Sequence, residues 1–534
     1  MSTNKINTEN LSDERAWPTW QLVAFRIAFV FFISMTIPNR IDWYKDLFTF
    51  DYLNLHYRDL YDIARFGSGI NFFGNKIFGS TLQGYAIWVI TFIFSVVIAI
   101  IWSIVSYVRK SEVKHYDTLF YWLNVVVRYR AAIGIIGFGF TKLTPTQLPY
   151  PSWGLLNTDF GDLTLQKIYW LSIGIVPLYE VFTGIVEVLA GALLFFRKTV
   201  FWGAVLLFGA LADIVYVNFA YDGGVHVYSS YFVLFSAFLL LPYIPKIYGL
   251  LIQEKLTLPF IQTPSLTKKW QETGRIILKY STIIIFLPVF TYLSIVNFIY
   301  DPYKQPSIKG LSQLRGNYHV TSFRLNNQEI PYSPLDTTRW QQATFEKWTT
   351  LTFKVNKPVE LDLSNGGGAP MRDISRTFEL TGVAGGQRVF YYEADTVQQV
   401  LYLQDKNLGN RNQENEGFAL TNEKSKKKGA EKRINKEAKN ESWIPENARK
   451  NIGDEIYKID PIAWTNRRIK GIKAEKKRNP KREKLVLHYD VQQGGNRVIL
   501  SGINAQKDSI YVVLDRYSKN YALSISTLES GKYD

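Results

Sequence analysis

Cysteine is absent from all 534 residues, which excludes disulfide frameworks, thiolate metal sites and cysteine nucleophiles. Histidine is scarce. The five, at 56, 115, 226, 319 and 488, never fall at ligand spacing, so no histidine-based metal site is expected. The common nucleotide and catalytic signatures are missing as well: no P-loop, no G-x-G-x-x-G after a strand, no H-E-x-x-H and no G-x-S-x-G. Charge is thin before residue 300 and dense after it, so the mean hydropathy of −0.06 describes neither part of the chain. The aromatic share is 15%, as expected of a protein that places Trp and Tyr at two membrane interfaces.

Seven segments are long and apolar enough to cross a bilayer core, which takes about 20 helical residues. They lie near 20–37, 84–108, 118–141, 168–196, 200–221, 225–245 and 276–300, and residues 20–300 are read as one transmembrane helical domain. The sixteen residues before the first run are polar and mixed in charge, and no A-x-A-like site follows it, so it is expected as a retained helix. Basic residues recur at every second connection: Arg109, Lys110 and Lys114, then Arg197 and Lys198, then Lys246 through Lys279. The positive-inside rule puts those loops and the 1–19 segment in the cytoplasm. The loop at 142–167, with only Lys142 and Lys167 as basic residues, then lies outside. An odd number of spans places everything after residue 300 outside a cytoplasmic (inner) membrane.

Residues 301–404 and 485–534 alternate apolar and polar in short runs such as "NYHVTSFRL", "TLTFKV", "RVFYYEA", "KLVLHYDV" and "SIYVVLDR". Period-two alternation broken by "NGGGAP" and "GVAGGQ" predicts an antiparallel β-barrel or sandwich. Between the two parts, residues 405–484 carry 23 Lys and Arg against 13 Asp and Glu, most of the net +16 of the chain. Blocks such as "KSKKKGAEKR" predict a solvated insertion, disordered or loosely helical. Clustered cations are what phosphate neutralisation needs. Here few aromatics interleave with them and the topology puts them outside, so no nucleic-acid partner is expected.

The ionisable residues inside the spans are Arg26, Arg128, Arg130, Glu180, Glu187 and Asp213. A carboxylate near the middle of a span costs roughly 2.5–3.5 kcal/mol, so such groups are expected to face the bundle and find partners. At 1.5 Å per residue, Arg128 and Arg130 lie roughly 15–18 Å from the inner end of the third span. Glu187 lies roughly 14 Å from the inner end of the fourth, Glu180 about 10 Å further out, and Asp213 between them. An Arg130–Glu187 pair is therefore expected. Arg130, Gly134, Gly137 and Thr141 share one helical face, and Glu180, Thr183, Gly184, Glu187 and Gly191 share another; small residues there let helix backbones approach. Such a pair fixes helix register on one reading, and on the other forms a proton-handling or polar-ligand site.

The stretches "RAAIGIIGFGFTKL" (130–143) and "EVLAGALLFFR" (187–197) resemble the DoxX-like membrane family, with its four-helix core, over roughly residues 118–245. The resemblance falls on Arg130, Gly137, Lys142, Glu187, Gly191 and Arg197. It implies a membrane subunit of a quinone-linked oxidoreductase, with quinone as the ligand and a soluble or membrane redox partner subunit. On that reading Glu187, Glu180 and Arg130 are the catalytic candidates, and Arg128, Lys142, Asp213 and Arg26 the substrate-binding ones. "LVAFRIAFVFFISM", followed by a long aromatic loop, is similar to the opening of the HTTM, vitamin K-dependent carboxylase-like membrane family. That resemblance implies a base in the membrane domain acting on a reduced quinone, and a β-rich domain after the helices. A third reading makes the protein an envelope assembly or anchoring factor that binds through its outer β domain.

Overall fold

The computed structural model describes residues 16–70, 83–110, 113–256, 264, 268–302, 304–367, 371–408, 443–478 and 480–524. Among them are seven helices long and apolar enough to cross a membrane: Thr19–Thr36, Ala86–Val108, Asp117–Leu143, Pro177–Leu194, Val200–Ala220, His226–Leu251 and Lys269–Tyr300. They are called the first to seventh spans. The long apolar run expected at 168–196 is two helices. Leu165–Gly174 ends at Ile175, and Pro177 opens the fourth span. Proline suits the first turn of a helix because its missing N–H is unneeded there. It also disfavours helical backbone at the residue before it, and a helix break results. The seventh span tolerates Pro288 through a π-helical turn over Ile285–Val289, the usual local adjustment around a lost i→i−4 bond.

The chain divides into two compact units: Met1–Phe50, Tyr61–Phe138 and Val186–Val289 form one, and Asp51–Leu60, Gly139–Ile185 and Phe290–Asp534 the other. In the first, Gly191 lies against the third span. A Cβ there would stand 2.9 Å from the Ala132 carbonyl, so only glycine permits this approach. In the second, Gly184 does the same against Gly139, whose carbonyl would be 2.8 Å from a Cβ. The glycines of the two shared faces thus let the third and fourth spans meet backbone to backbone, as in other lipid-embedded helix pairs.

The second unit contains a closed antiparallel barrel. Its strands are β1 (Gly316–Leu325), β2 (Gln328–Glu329), β3 (Trp340–Phe345), β4 (Thr350–Val355), β5 (Gln387–Asp395), β6 (Val400–Asp405), β7 (Lys484–Gln492), β8 (Arg497–Ile503) and β9 (Ser509–Tyr517). Neighbours pair in the order β2-β1-β3-β4-β5-β6-β7-β8-β9, and β1 also pairs β9 from Asn317↔Tyr517 to Leu325↔Ile510. Eight strands therefore close, with the two-residue β2 as an outer flap, and closure removes the exposed edges that invite aggregation. Alternate residues point inward to a core that includes Tyr318, Phe323, Phe345, Leu403, Leu487 and Val512. Trp340 stacks on Phe353 with ring centroids 3.7 Å apart.

The charged insertion is not uniformly solvated. Residues 409–442 lie outside the described residues, but Glu446–Ile452 and Asn466–Arg478 are helices packed on the second unit. Ile444, Ala448 and Ile452 cover Tyr402, and Ile459 and Ile472 pack on Ile308. Charge does not prevent this because the buried charges are matched. Arg468 lies within ion-pair distance of Asp301 (3.3 Å) and Asp373 (3.6 Å), and Arg376 meets Asp301 at 2.6 Å. Glu455 takes Arg372 at 2.7 Å, and Glu475 accepts from the Ser375 hydroxyl.

Candidate functional site

The residues singled out in the sequence fall in both units. Arg130 is buried in the first unit, where its guanidinium lies 3.9 Å over the Phe66 ring. It donates to the carbonyls of Ala64 (3.1 Å) and Phe66 (3.4 Å) and to the Tyr228 hydroxyl (3.3 Å). The expected partner Glu187, also buried, is not among these acceptors. Backbone carbonyls of the segment after the first span supply the acceptors instead, and no sequence pattern marks carbonyls. Arg26 is held by Tyr116 (2.9 Å) and Ser103 (2.6 Å), and half-buried Arg128 lies over the Tyr129 ring. Asp213 faces outward from the fifth span rather than into the bundle.

Glu180 belongs to the second unit. It is fully buried, its Oε1 accepts from the Leu148 N–H at 3.0 Å, and Lys142 and Lys304 supply positive charge to it. Lys304 leads from there to the most unusual group in the unit, Lys167.

Lys167 sits in the first turn of the helix Leu165–Gly174. Thr164 caps that helix, its hydroxyl accepting from the Lys167 N–H at 3.3 Å. The turn is pinned to the loop between β4 and β5: Thr164 N–H bonds the Gly382 carbonyl at 3.0 Å and Leu163 bridges to Val383. Gly382 has φ +69°, and a Cβ there would stand 2.9 Å from the Lys167 Cβ. Both the left-handed backbone and the close approach require glycine at this position. Gly382 thus seals Lys167 in, with 1% of its surface exposed.

The Lys167 Nζ donates to the Phe378 carbonyl and lies 3.7 Å over the Phe378 ring. Phe378 stacks near-parallel on Trp170, centroids 6.0 Å apart, and Lys304 stands 4.4 Å over Trp170 and 5.5 Å over Phe378. Burial first, and the Lys304 charge next, pull the Lys167 pKa well below that of an ordinary lysine. The charges of Glu379 and Asp362 oppose this without touching the amine, and Glu379 is itself committed to the ammonium of Lys406 at 2.5 Å and the indole N–H of Trp348. Beyond it, buried Glu346 accepts the N–H groups of Gly154 (2.7 Å) and Trp153 (3.3 Å). Burial and then the neighbouring Glu379 push its carboxyl up to about 7.

A buried amine whose titration is drawn toward the neutral form can serve as a general base or a nucleophile, because the neutral nitrogen carries the reactive lone pair. The flanking indole and phenyl rings make the surroundings apolar and planar. In the sequence Lys167 counted only as a basic residue closing a loop, where a lysine snorkelling to the membrane interface is the ordinary expectation. No short-range pattern distinguishes the two, since Phe378 lies 211 positions away. Comparison of the chain with known protein families, with curated proteins and with solved structures finds no match.

Proposed function

We propose that this integral membrane protein is an enzyme of the cytoplasmic membrane in which Lys167 serves as a general base toward a lipid-soluble weak acid. The observation that carries the reading is the Lys167 environment: sealed, aromatic, without a contacting carboxylate among the described residues, and pulled toward the neutral amine. A base of that kind takes a proton from a hydroxyl of moderate acidity, the O–H bond breaking as an N–H bond forms. The substrate class is a reduced quinone. Support comes from the resemblance of the first span to HTTM proteins, from the order of helices and then β domain, and from the planar Trp170–Phe378 stack. With the N-terminus in the cytoplasm, the 142–176 connection and the barrel both lie on the outer side, and Lys167 works at that face.

The test is purification in mild detergent, extraction of bound lipid-soluble ligand, and measurement of quinol oxidation by an added electron acceptor in wild type, Lys167→Met and Lys167→Arg. The expected result is a co-purifying quinone and loss of turnover in both variants, since arginine stays protonated. Unchanged turnover in Lys167→Met refutes the role.

A second reading, a membrane subunit of a quinone-linked oxidoreductase of DoxX-like kind, draws on the backbone contact of the third and fourth spans at Gly184 and Gly191. There Glu187 exchanges protons with the quinol, and a redox partner subunit supplies the electron acceptor. Co-purification of such a subunit, with turnover insensitive to Lys167→Met, favours it over the first.

A further inference from the structure

The fifth span carries a charge where lipid would be. Trp202, Gly209, Asp213, Tyr216 and Ala220 are all exposed, and at 100° per residue they fall within one narrow stripe of the Val200–Ala220 helix. Asp213 lies mid-stripe, the fourteenth residue of a helix of 21, and makes no ion pair or hydrogen bond among the described residues. Facing hydrocarbon, such a carboxylate is costly and snorkelling cannot relieve it, because aspartate has a single methylene. One turn away, Gly209 has nothing within 4 Å of the place its Cβ would occupy. It leaves a notch in the exposed face, beside the one polar group that needs a partner.

We propose that this stripe is the contact between two copies of the chain, crossing at Gly209 with the two Asp213 carboxyls joined across the two-fold axis. Two copies inserted in the same sense place identical residues at identical depth, so symmetry alone supplies a hydrogen-bonding group exactly where Asp213 lacks one. Across the axis each carboxyl offers the other the hydrogen-bonding partner that hydrocarbon lacks. Glycine at the crossing lets the two backbones come within reach of such short side chains. The inference is independent of the role of Lys167.

The absence of cysteine makes the test direct. Gly209→Cys and Tyr216→Cys each introduce the sole thiol of the full chain. Native membranes are oxidised or treated with a short bis-maleimide, and the products sized under denaturing conditions. Both variants are expected to form a species of twice the chain mass, and Ile93→Cys on the exposed face of the second span to form none. Adding Asp213→Leu is expected to lower the cross-linked fraction about tenfold, the equivalent of ~1.4 kcal/mol, while Asp213→Asn retains it. Only monomer from both stripe positions overturns the proposal, as does cross-linking to a different chain or a yield indifferent to Asp213→Leu. Because Asp213→Leu adds apolar surface to a lipid-facing position, loss of the fold does not confound the result, and thermal unfolding of the uncross-linked variant checks this.

Discussion

Glu346→Gln should make the barrel-containing unit more stable at pH 8 and leave it unchanged near pH 4.5. Glu346 follows β3 with its carboxylate enclosed by the N–H groups of Trp153 and Gly154, and its titration is raised from an ordinary 4.5 to about 7 by burial and by Glu379. A raised carboxyl binds its proton more tightly in the folded than in the unfolded chain. Its contribution to stability is therefore complete below about 4.5 and is lost as pH rises to about 7. At 1.4 kcal/mol per pH unit, the loss across this window is about 3 kcal/mol. Glutamine mimics the protonated carboxyl and does not titrate, so the variant should lack this slope. The assay is denaturant unfolding of the full chain in detergent, followed by the far-ultraviolet β signal at pH 4.5, 6, 7 and 8. Asp405, pushed up to about 6 mainly by burial, adds its own slope, common to both proteins and cancelling in the difference. A difference between variant and wild type that does not grow with pH, or that grows in the opposite sense, refutes the argument.

Lys304→Met should raise the proton affinity of Lys167, because it removes a positive charge held over the same Phe378 ring. The pH profile of Lys167 labelling by a membrane-permeant amine reagent, mapped by mass spectrometry, should move upward, and Lys304→Arg should restore it. Arg468→Ala should cost about 3–5 kcal/mol, because it leaves the two buried carboxylates of Asp301 and Asp373 with the single guanidinium of Arg376. Early proteolysis within 443–482 of the variant, and not of wild type, is the expected readout.

The seven helices were legible because lipid imposes a length and a composition on each, and the strands because alternation marks one wet and one dry face. The choice between barrel and sandwich was not legible. It depends on β1 meeting β9 in register, Tyr318 opposite Arg516, and neither strand carries a local sign of the other. The break before Pro177 was hidden by Ile175 and Val176, which prolong the apolar run across a non-helical joint. The segment 443–482 was misleading for a different reason. Charge density forbids a core only when charges lack partners, and Arg468 finds Asp301 and Asp373 far along the chain. Depth arithmetic brought Arg130 and Glu187 to one level but could not see that carbonyls of Ala64 and Phe66 reach the guanidinium.

The comparison between buried cations in the second unit distinguishes structure from chemistry. Arg376, Lys406 and Arg468 each face a carboxylate, and deleting any of them leaves buried negative charge under-compensated. Lys167 faces a carbonyl and an aromatic ring, so no carboxylate is stranded by its removal. A site kept for stability would be better filled by an apolar side chain of similar length, which crosses the same space without desolvating an amine. Lys167→Met should then match or exceed wild-type stability at pH 7 while abolishing quinol turnover, the trade expected where a strained group is retained for function. The pH dependence gives the sharper check. With its titration depressed in the fold, Lys167 favours the folded state fully only at high pH, and that contribution is lost as pH falls and the unfolded chain takes up the proton. The advantage of methionine should accordingly be largest at neutral pH and shrink toward pH 10. A variant that is less stable than wild type at pH 7, with turnover reduced only in proportion to the folded fraction, would show that Lys167 is a structural cation and not a base.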